Sequence, residues 1–179
     1  MFDWNAVVSV RANGYKTARR YLKTLGRVER TDYYNVLALK VDDCALFLEA
    51  VKRDTGLQPE LRNALARVVP VSQSFLFQNP AEFEARAREV VPVFAPELAK
   101  RTFHVRMHRR GFRGQLASQE IERLLARQLI ERLEAAGTPA QVEFDDPDAV
   151  LVIETLGQWA GLALVTREQR ARYPFLEPE

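Results

Sequence analysis

Thr102-Phe103-His104-Val105-Arg106-Met107-His108, continued by Arg109-Arg110-Gly111-Phe112-Arg113-Gly114, is the stretch on which the reading of this chain turns. Apolar and polar residues alternate through its first half, which predicts a strand over 102–108. Phe103, Val105 and Met107 then share one face, toward a core. Thr102, His104, Arg106, His108 and Arg110 share the other. Such a row of cations is either a solvated edge that discourages strand pairing or a surface that meets an anion. Beyond the glycine-flanked loop, Ser118 is a good N-cap for a long helix that ends before Gly137. Ile121, Leu124, Leu125, Gln128, Leu129 and Leu133 form its amphipathic stripe. Strand, arginine loop and helix N-terminus in succession bring guanidinium groups next to free backbone N–H groups, a chemistry suited to phosphate.

Downstream, strands are expected over 141–144, 149–156 and 159–166. The first two are separated by Asp145-Asp146-Pro147-Asp148, the last two by Gly157-Gln158, and a helical turn over 167–173 follows. Upstream, residues 81–100 read as helix divided by Pro92 and Pro96. Asn79-Pro80 marks a boundary. Before it come a strand over 4–11 and a helix over 15–25, then strands over 27–30 and 33–41 that turn near Thr31-Asp32. Asp42-Asp43 caps a second helix whose apolar face is Cys44, Leu46, Phe47, Ala50 and Val51. A short helical piece over 60–66 precedes a last strand over 68–77, interrupted at Pro70. The order β-α-β-β-α-β is the ferredoxin-like one. The fold class is therefore α+β: a ferredoxin-like unit over 1–79 packed next to a different α/β unit over 80–179.

At 179 residues, 47% of them hydrophobic, the chain can bury a core without disulfide or metal staples. One cysteine excludes an intrachain disulfide and a multi-cysteine zinc site. Met1-Phe2-Asp3-Trp4 has no basic leader, and the apolar run over 150–166 is broken by Glu154 and Gly157, short of a membrane span. A cytoplasmic protein with no membrane partner is expected. Net charge is only +2, but it is segregated. Residues 1–30 carry seven Lys/Arg against two acids, residues 100–113 six against none, and residues 114–148 three against eight.

Nothing in the chain looks like an active site. GxGxxG, GxxxxGK[ST] and GxSxG are all missing. His104 and His108 would stand about 13 Å apart on a strand, too far to share one metal. Asp145, Asp146 and Asp148 are explained by a proline turn. No catalytic residue, metal or cofactor is expected, which makes a non-enzyme the primary reading. Gly111-Phe112-Arg113-Gly114 also fits a GXXG loop of the KH type, but a KH loop joins two helices and this one follows a strand. Phe112 can stack on an unpaired base or plug the loop into the core. Lys16, Arg19, Arg20 and Lys23 line one face of the first helix, as a solvated surface or a second phosphate contact.

Residues 80–179 resemble the THUMP domain, a tRNA-binding module. The resemblance runs through Phe103-x-Val105-Arg106, the loop arginines and Ser118. It continues in Val142-Glu143-Phe144-Asp145-Asp146-Pro147-Asp148 and the pair of strands over 150–154 and 159–165. In that family a ferredoxin-like unit commonly precedes the module. The resemblance implies recognition of the acceptor stem and single-stranded 3′ end of tRNA. Arg106, Arg109, Arg110, Arg113 and the helix opening at Ser118 would hold phosphates, flanked by Arg101 and His108, while the Lys16–Lys23 face would reach along the stem. Most members are fused to a methyltransferase, thiouridine synthetase or pseudouridine synthase domain, for which the 13 residues after Thr166 leave no room. The chain is thus similar to the stand-alone members, adaptors for a separate tRNA-modifying enzyme such as a cytidine acetyltransferase. Two alternatives remain at this point: the recognition part of a larger modification enzyme, and a ferredoxin-like regulatory or oligomerisation module that binds no RNA.

Overall fold

The computed structural model describes residues 3–176. Met1 and Phe2 of the start read above lie outside them, as do residues 177–179 of the expected second unit. Contacts divide the chain into two α+β units, residues 3–72 with 170–176 and residues 73–169, each with its own sheet.

The first unit runs β1 (Ala6–Val10), α1 (Tyr15–Leu22), β2 (Arg27–Arg30), β3 (Val36–Lys40), α2 (Cys44–Leu57), α3 (Pro59–Ala64) and β4 (Leu65–Pro70). Its strand order, β2-β3-β1-β4 with every pair antiparallel, is the ferredoxin-like one that the order of elements predicted. Valine-rich β1 lies between two neighbours, with Val7 and Val8 buried. Gly14 is demanded by a close approach, since a methyl group there would stand 2.6 Å from Ala64 Cα. Helix α1 ends at Leu22 rather than Leu25. Thr24 hydrogen-bonds the Tyr21 carbonyl through both its hydroxyl (2.7 Å) and its N–H (2.9 Å), which tightens and ends the last turn. Asp43 caps α2, accepting from the Leu46 N–H at 3.0 Å. The buried face of α2 is Phe47, Leu48 and Val51. Leu46, about 100° around the helix from Phe47, is exposed, so it does not belong to the apolar face. Cys44 is half-buried, and burial pushes its thiol up from the ordinary range. The segment 170–176 returns to this unit: Arg172 and Tyr173 both donate to the Glu49 carboxylate of α2.

The single strand expected over 68–77 is two strands in two sheets. β4 stops at Pro70, and Val71 N–H makes a last bond to the Asn5 carbonyl at 2.9 Å. After the bend at Ser72, β5 (Gln73–Leu76) pairs with the second sheet. Phe75 and Phe77 then pack with Phe83 at ring separations of 5.0 to 6.2 Å, an aromatic cluster that draws this strand out of the first unit. The division therefore falls ahead of Asn79-Pro80, which instead starts a helix. Asn79 accepts from Glu82 N–H at 2.9 Å, Glu82 accepts from Gln78 N–H at 2.7 Å, and Pro80 sits in the first turn.

The second unit continues with α4 (Pro80–Val90), a 3-10 turn (Val91–Phe94), α5 (Ala95–Leu98), β6 (Thr102–His108), α6 (Ser118–Ala135), β7 (Gln141–Val142), β8 (Ala149–Leu156), β9 (Trp159–Thr166) and α7 (Arg167–Arg172), which ends in the returning segment. The order is β5-β9-β8-β6-β7. β6 runs parallel to β8 from Phe103 to His108 and to the two residues of β7, so it is an interior strand and not a solvated edge. Parallel pairing needs a crossover, which α6 supplies. Phe103, Val105 and Met107 share one core with Ile121, Leu125, Leu129 and Leu133 of α6. Among the described residues, no helix is long and apolar enough to cross a membrane.

Asp148 ties three strands together at one end of this sheet. Its carboxylate accepts from Thr102 N–H (2.9 Å) and Thr102 hydroxyl (3.1 Å) at the start of β6, and from Arg167 (2.8 Å) just past β9. The Thr102 N–H above all, with Arg167 nearby, holds its carboxyl below the ordinary carboxylate value. A depressed folded value means stability that is full above the unfolded value near 4 and is lost as pH falls through the folded one. Asp148→Asn should therefore be less stable than the parent at pH 7, with the gap closing in acid below about pH 4. Urea unfolding of both proteins across pH 2–7 checks this, and a constant gap would remove the carboxylate charge from the account.

Candidate nucleic-acid interface

The arginine loop after β6 is anchored at its first residues. Arg110 N–H donates to Thr155 hydroxyl at 2.8 Å, and the Arg110 carbonyl accepts from Gly157 N–H at 2.9 Å. The Arg110 guanidinium donates to Glu154, a carboxylate with 0% exposure on β8. Arg109 donates to the Gly111 carbonyl within the loop. Gly111 (φ 98°), Phe112 (φ 51°) and Gly114 (φ 75°) all take positive φ. That reversal turns the Phe112 ring inward onto Phe77, 5.2 Å between centroids. Of the two readings left open for Phe112, the structure takes the core plug. The Phe112 carbonyl then accepts from Gln115 and Leu116 N–H, both at 3.0 Å, and leads the chain into α6.

The residues singled out from the sequence separate into groups. Arg101, Arg106 and Arg113 are exposed, and Arg109 is half-buried. His108 is half-buried on β6, opposite Glu154 in register. Arg110 faces a protein carboxylate, so its anion is internal. His104, read as part of the outer row, is only 8% exposed, its Nδ1 lying 3.0 Å from the Glu143 carbonyl. Ser118 is the first residue inside α6, not its cap. Ala117 holds the cap position, and no side chain caps the helix, which leaves N–H groups of the first turn without a side-chain acceptor. In the first unit Lys16, Arg20 and Lys23 are exposed along α1 and Arg19 is half-buried. No acid lies in the first turn of that helix. Among the described residues, no group of three His, Cys, Asp or Glu is placed to hold a metal.

Sequence reasoning missed a second surface of the same unit. Phe144 is 72% exposed and stacks on His104, 5.4 Å between ring centroids and 28° from parallel. The stack borders a groove of about 510 Å³, with Arg123 and Arg127 of α6 on its other side. The two arginines are four residues apart, a spacing visible in the sequence but masked by the acidic excess of residues 114–148.

Anchoring and exposed arginines should separate on heating. Arg110→Ala leaves a buried carboxylate without the cation that faces it, a loss of about 3 kcal/mol and a thermal midpoint lower by about 6–12 °C. Arg113→Ala should shift the midpoint by no more than about 1–2 °C. Calorimetry on both variants decides, and equal midpoints would deny Arg110 its structural role.

Residues 80–165 match the family model of the THUMP domain. No curated protein matches the sequence. Among solved structures, the chain is similar to TrmN from Thermus thermophilus, with 18% identity, 90% of this chain and 44% of that one covered, and a TM-score of 0.62. It is also similar to a 4-thiouridine synthetase solved with RNA and bound ATP (16% identity, 90% and 41% covered, TM-score 0.57). A third is a possible methylase from Clostridium difficile (9% identity, 90% and 40% covered, TM-score 0.57). At these identities the likeness is one of fold, and the chain spans less than half the length of each. The family match covers α4 through β9, and with them the arginine loop, so it is residues 80–165 of this chain that are similar to the THUMP domain.

Proposed function

We propose that this chain is a tRNA-binding protein that recognises the acceptor stem and the single-stranded 3′ end. In this reading it has no catalytic role of its own and serves, in the cytoplasm, as an adaptor for a separate tRNA-modifying enzyme such as a cytidine acetyltransferase. The observation that carries the reading is the THUMP match, which contains the arginine loop. Arg106 of β6 and Arg109 and Arg113 of the loop supply phosphate contacts, together with the uncapped first turn of α6 that follows the loop in the chain, with Arg101 and His108 flanking them. Arg110 acts by holding the loop in place. Lys16, Arg20 and Lys23, with Arg19 beside them, add phosphate contacts from α1.

One observation favours a second reading, that these residues are the recognition part of a larger modification enzyme. The similar solved chains extend well beyond the part this chain covers, and two of them are a 4-thiouridine synthetase and a possible methylase. Both readings need tRNA. They part when the partner is sought: the adaptor reading requires a separate polypeptide that modifies tRNA only when this chain is added.

Fluorescence anisotropy with full-length tRNA, and with the same tRNA lacking its 3′ single strand, tests the shared claim at two salt concentrations. Tight, salt-sensitive binding should drop when the end is removed. Arg109→Ala combined with Arg113→Ala should weaken binding and flatten the slope of log K against log salt by roughly one unit per lost contact. An unchanged slope takes these two residues out of the interface, and equal binding to both RNAs discards the 3′-end mechanism.

A further inference from the structure

The turn between β2 and β3 is longer and better built than a hairpin turning at Thr31-Asp32. Thr31 hydroxyl donates to the Val36 carbonyl at 2.9 Å and accepts from Tyr33 N–H at 3.2 Å. Val36 N–H closes back on the Tyr33 carbonyl at 3.3 Å, and the Asn35 carbonyl accepts from Val10 N–H at 2.9 Å. These bonds hold Tyr34 at the tip with its side chain in solvent. At 86% exposure it is the most exposed large hydrophobic side chain among the described residues. A Tyr ring is a large apolar face, and a folded loop that presents one in water offers a stacking platform.

The surroundings state what would stack there. Tyr33, Tyr34, Asn13 and Asn35 border a groove of about 760 Å³, whose lining also holds one acid, Asp32. Asn13 (φ 65°) and Asn35 (φ 56°) both sit in the left-handed region. Tyr15 and Lys16 close this groove and also line the next one, of about 390 Å³, so the two are contiguous. The second groove is walled by Arg19, Arg20, Lys23 and Arg30 in addition, with no acid in its lining. Five cations in one trough, opening onto aromatic rings and side-chain amides, match a ligand that is polyanionic along its length and carries flat polar rings. A small anion leaves the aromatic part unused. An apolar protein partner leaves five cations desolvated without counterions.

We propose that the Tyr33–Asn35 turn and α1 form one site for an unpaired nucleotide: its base stacks on Tyr34, and its flanking phosphates lie along Lys16, Arg20, Lys23 and Arg30. The site is distinct from the arginine loop of the second unit and assigns a ring, not only charge, to the first unit. It rests on the reading above that RNA is the ligand. Tyr34 supplies what the cations of α1 cannot, a preference for unpaired over fully paired RNA, because a base inside a duplex has no free face to offer.

The test uses the full chain and two RNA hairpins with one stem, the first carrying a single-stranded overhang with 2-aminopurine and the second blunt. Tyr34→Ala should weaken the overhang hairpin by about fivefold or more and leave the blunt one unchanged. It should also abolish 2-aminopurine quenching at one overhang position. Tyr34→Phe should behave as the parent. Lys16→Ala with Arg20→Ala should weaken both hairpins and lower the salt slope. Parent binding with no effect of Tyr34→Ala, or an equal loss on both hairpins, overturns the stacking site alone. So does a Tyr34→Phe as weak as Tyr34→Ala. A parent chain that binds neither hairpin overturns this site and the tRNA reading together.

Discussion

The Arg110 guanidinium facing the fully buried Glu154 is the contact on which the geometry of the second unit depends. A carboxylate placed inside a sheet demands a cation, and removing that cation costs more than the pair contributes over an apolar substitute. The pair therefore acts as a constraint of position. It fixes where β6 ends relative to β8, a placement repeated in the backbone by the bonds from Arg110 to Thr155 and Gly157. Once Arg110 is held, Gly111 and Phe112 must reverse the chain through positive φ. The Phe112 ring falls against Phe77, and α6 begins at Ser118.

Asp148 performs the corresponding task at the other end of the sheet, where Thr102 and Arg167 converge on one carboxylate. Together the two acids bracket β8, whose residues are buried along its whole length. Two acids that look alike in a charge count thus do structural work, while Asp146 pairs with Arg167 near the Asp148 end. None of these ion pairs draws on Arg106, Arg109 or Arg113. The overall charge of +2 conceals this separation, because internal pairs cancel in the sum while the exposed arginines remain a local field.

The order of elements was legible in the chain because each carries its own period or stop. Alternation marks β6, the 3.6-residue stripe marks α6, and β-branched residues mark β1. Errors arose where partner choice, not local pattern, decides. Residues 68–77 are extended on both sides of the bend at Ser72, and the aromatic contacts of Phe75 and Phe77 accompany the pairing of the second half with the other sheet. Ser118 has the residue type of a cap, yet Ala117 holds the cap position. The candidate interface was half legible. Its arginines were visible as a cluster, but spacing alone could not tell Arg110, aimed at an acid 44 residues away in the chain, from Arg113. His104 was misplaced for the same reason: alternation assigns it to the outer row, whereas the Glu143 carbonyl and the Phe144 ring give it partners and cover.

With Phe112 turned inward, the arginine loop presents charge without an aromatic face. Charge alone gives affinity and orientation on a polyanion but little discrimination between paired and unpaired strands. Under the proposed reading, discrimination must come from rings placed elsewhere, and each unit exposes one in a different setting. Phe144 lies over His104 beside Arg123 and Arg127, and Tyr34 stands at the end of the α1 trough. Both are held by hydrogen-bonded turns or ring stacking, so presenting them to a base costs little further ordering. The division is a physical necessity. A ring inside the arginine loop serves better as the plug that shapes the loop, because its contact with Phe77 adds a core anchor to the backbone bonds by which the Phe112 carbonyl holds Gln115 and Leu116.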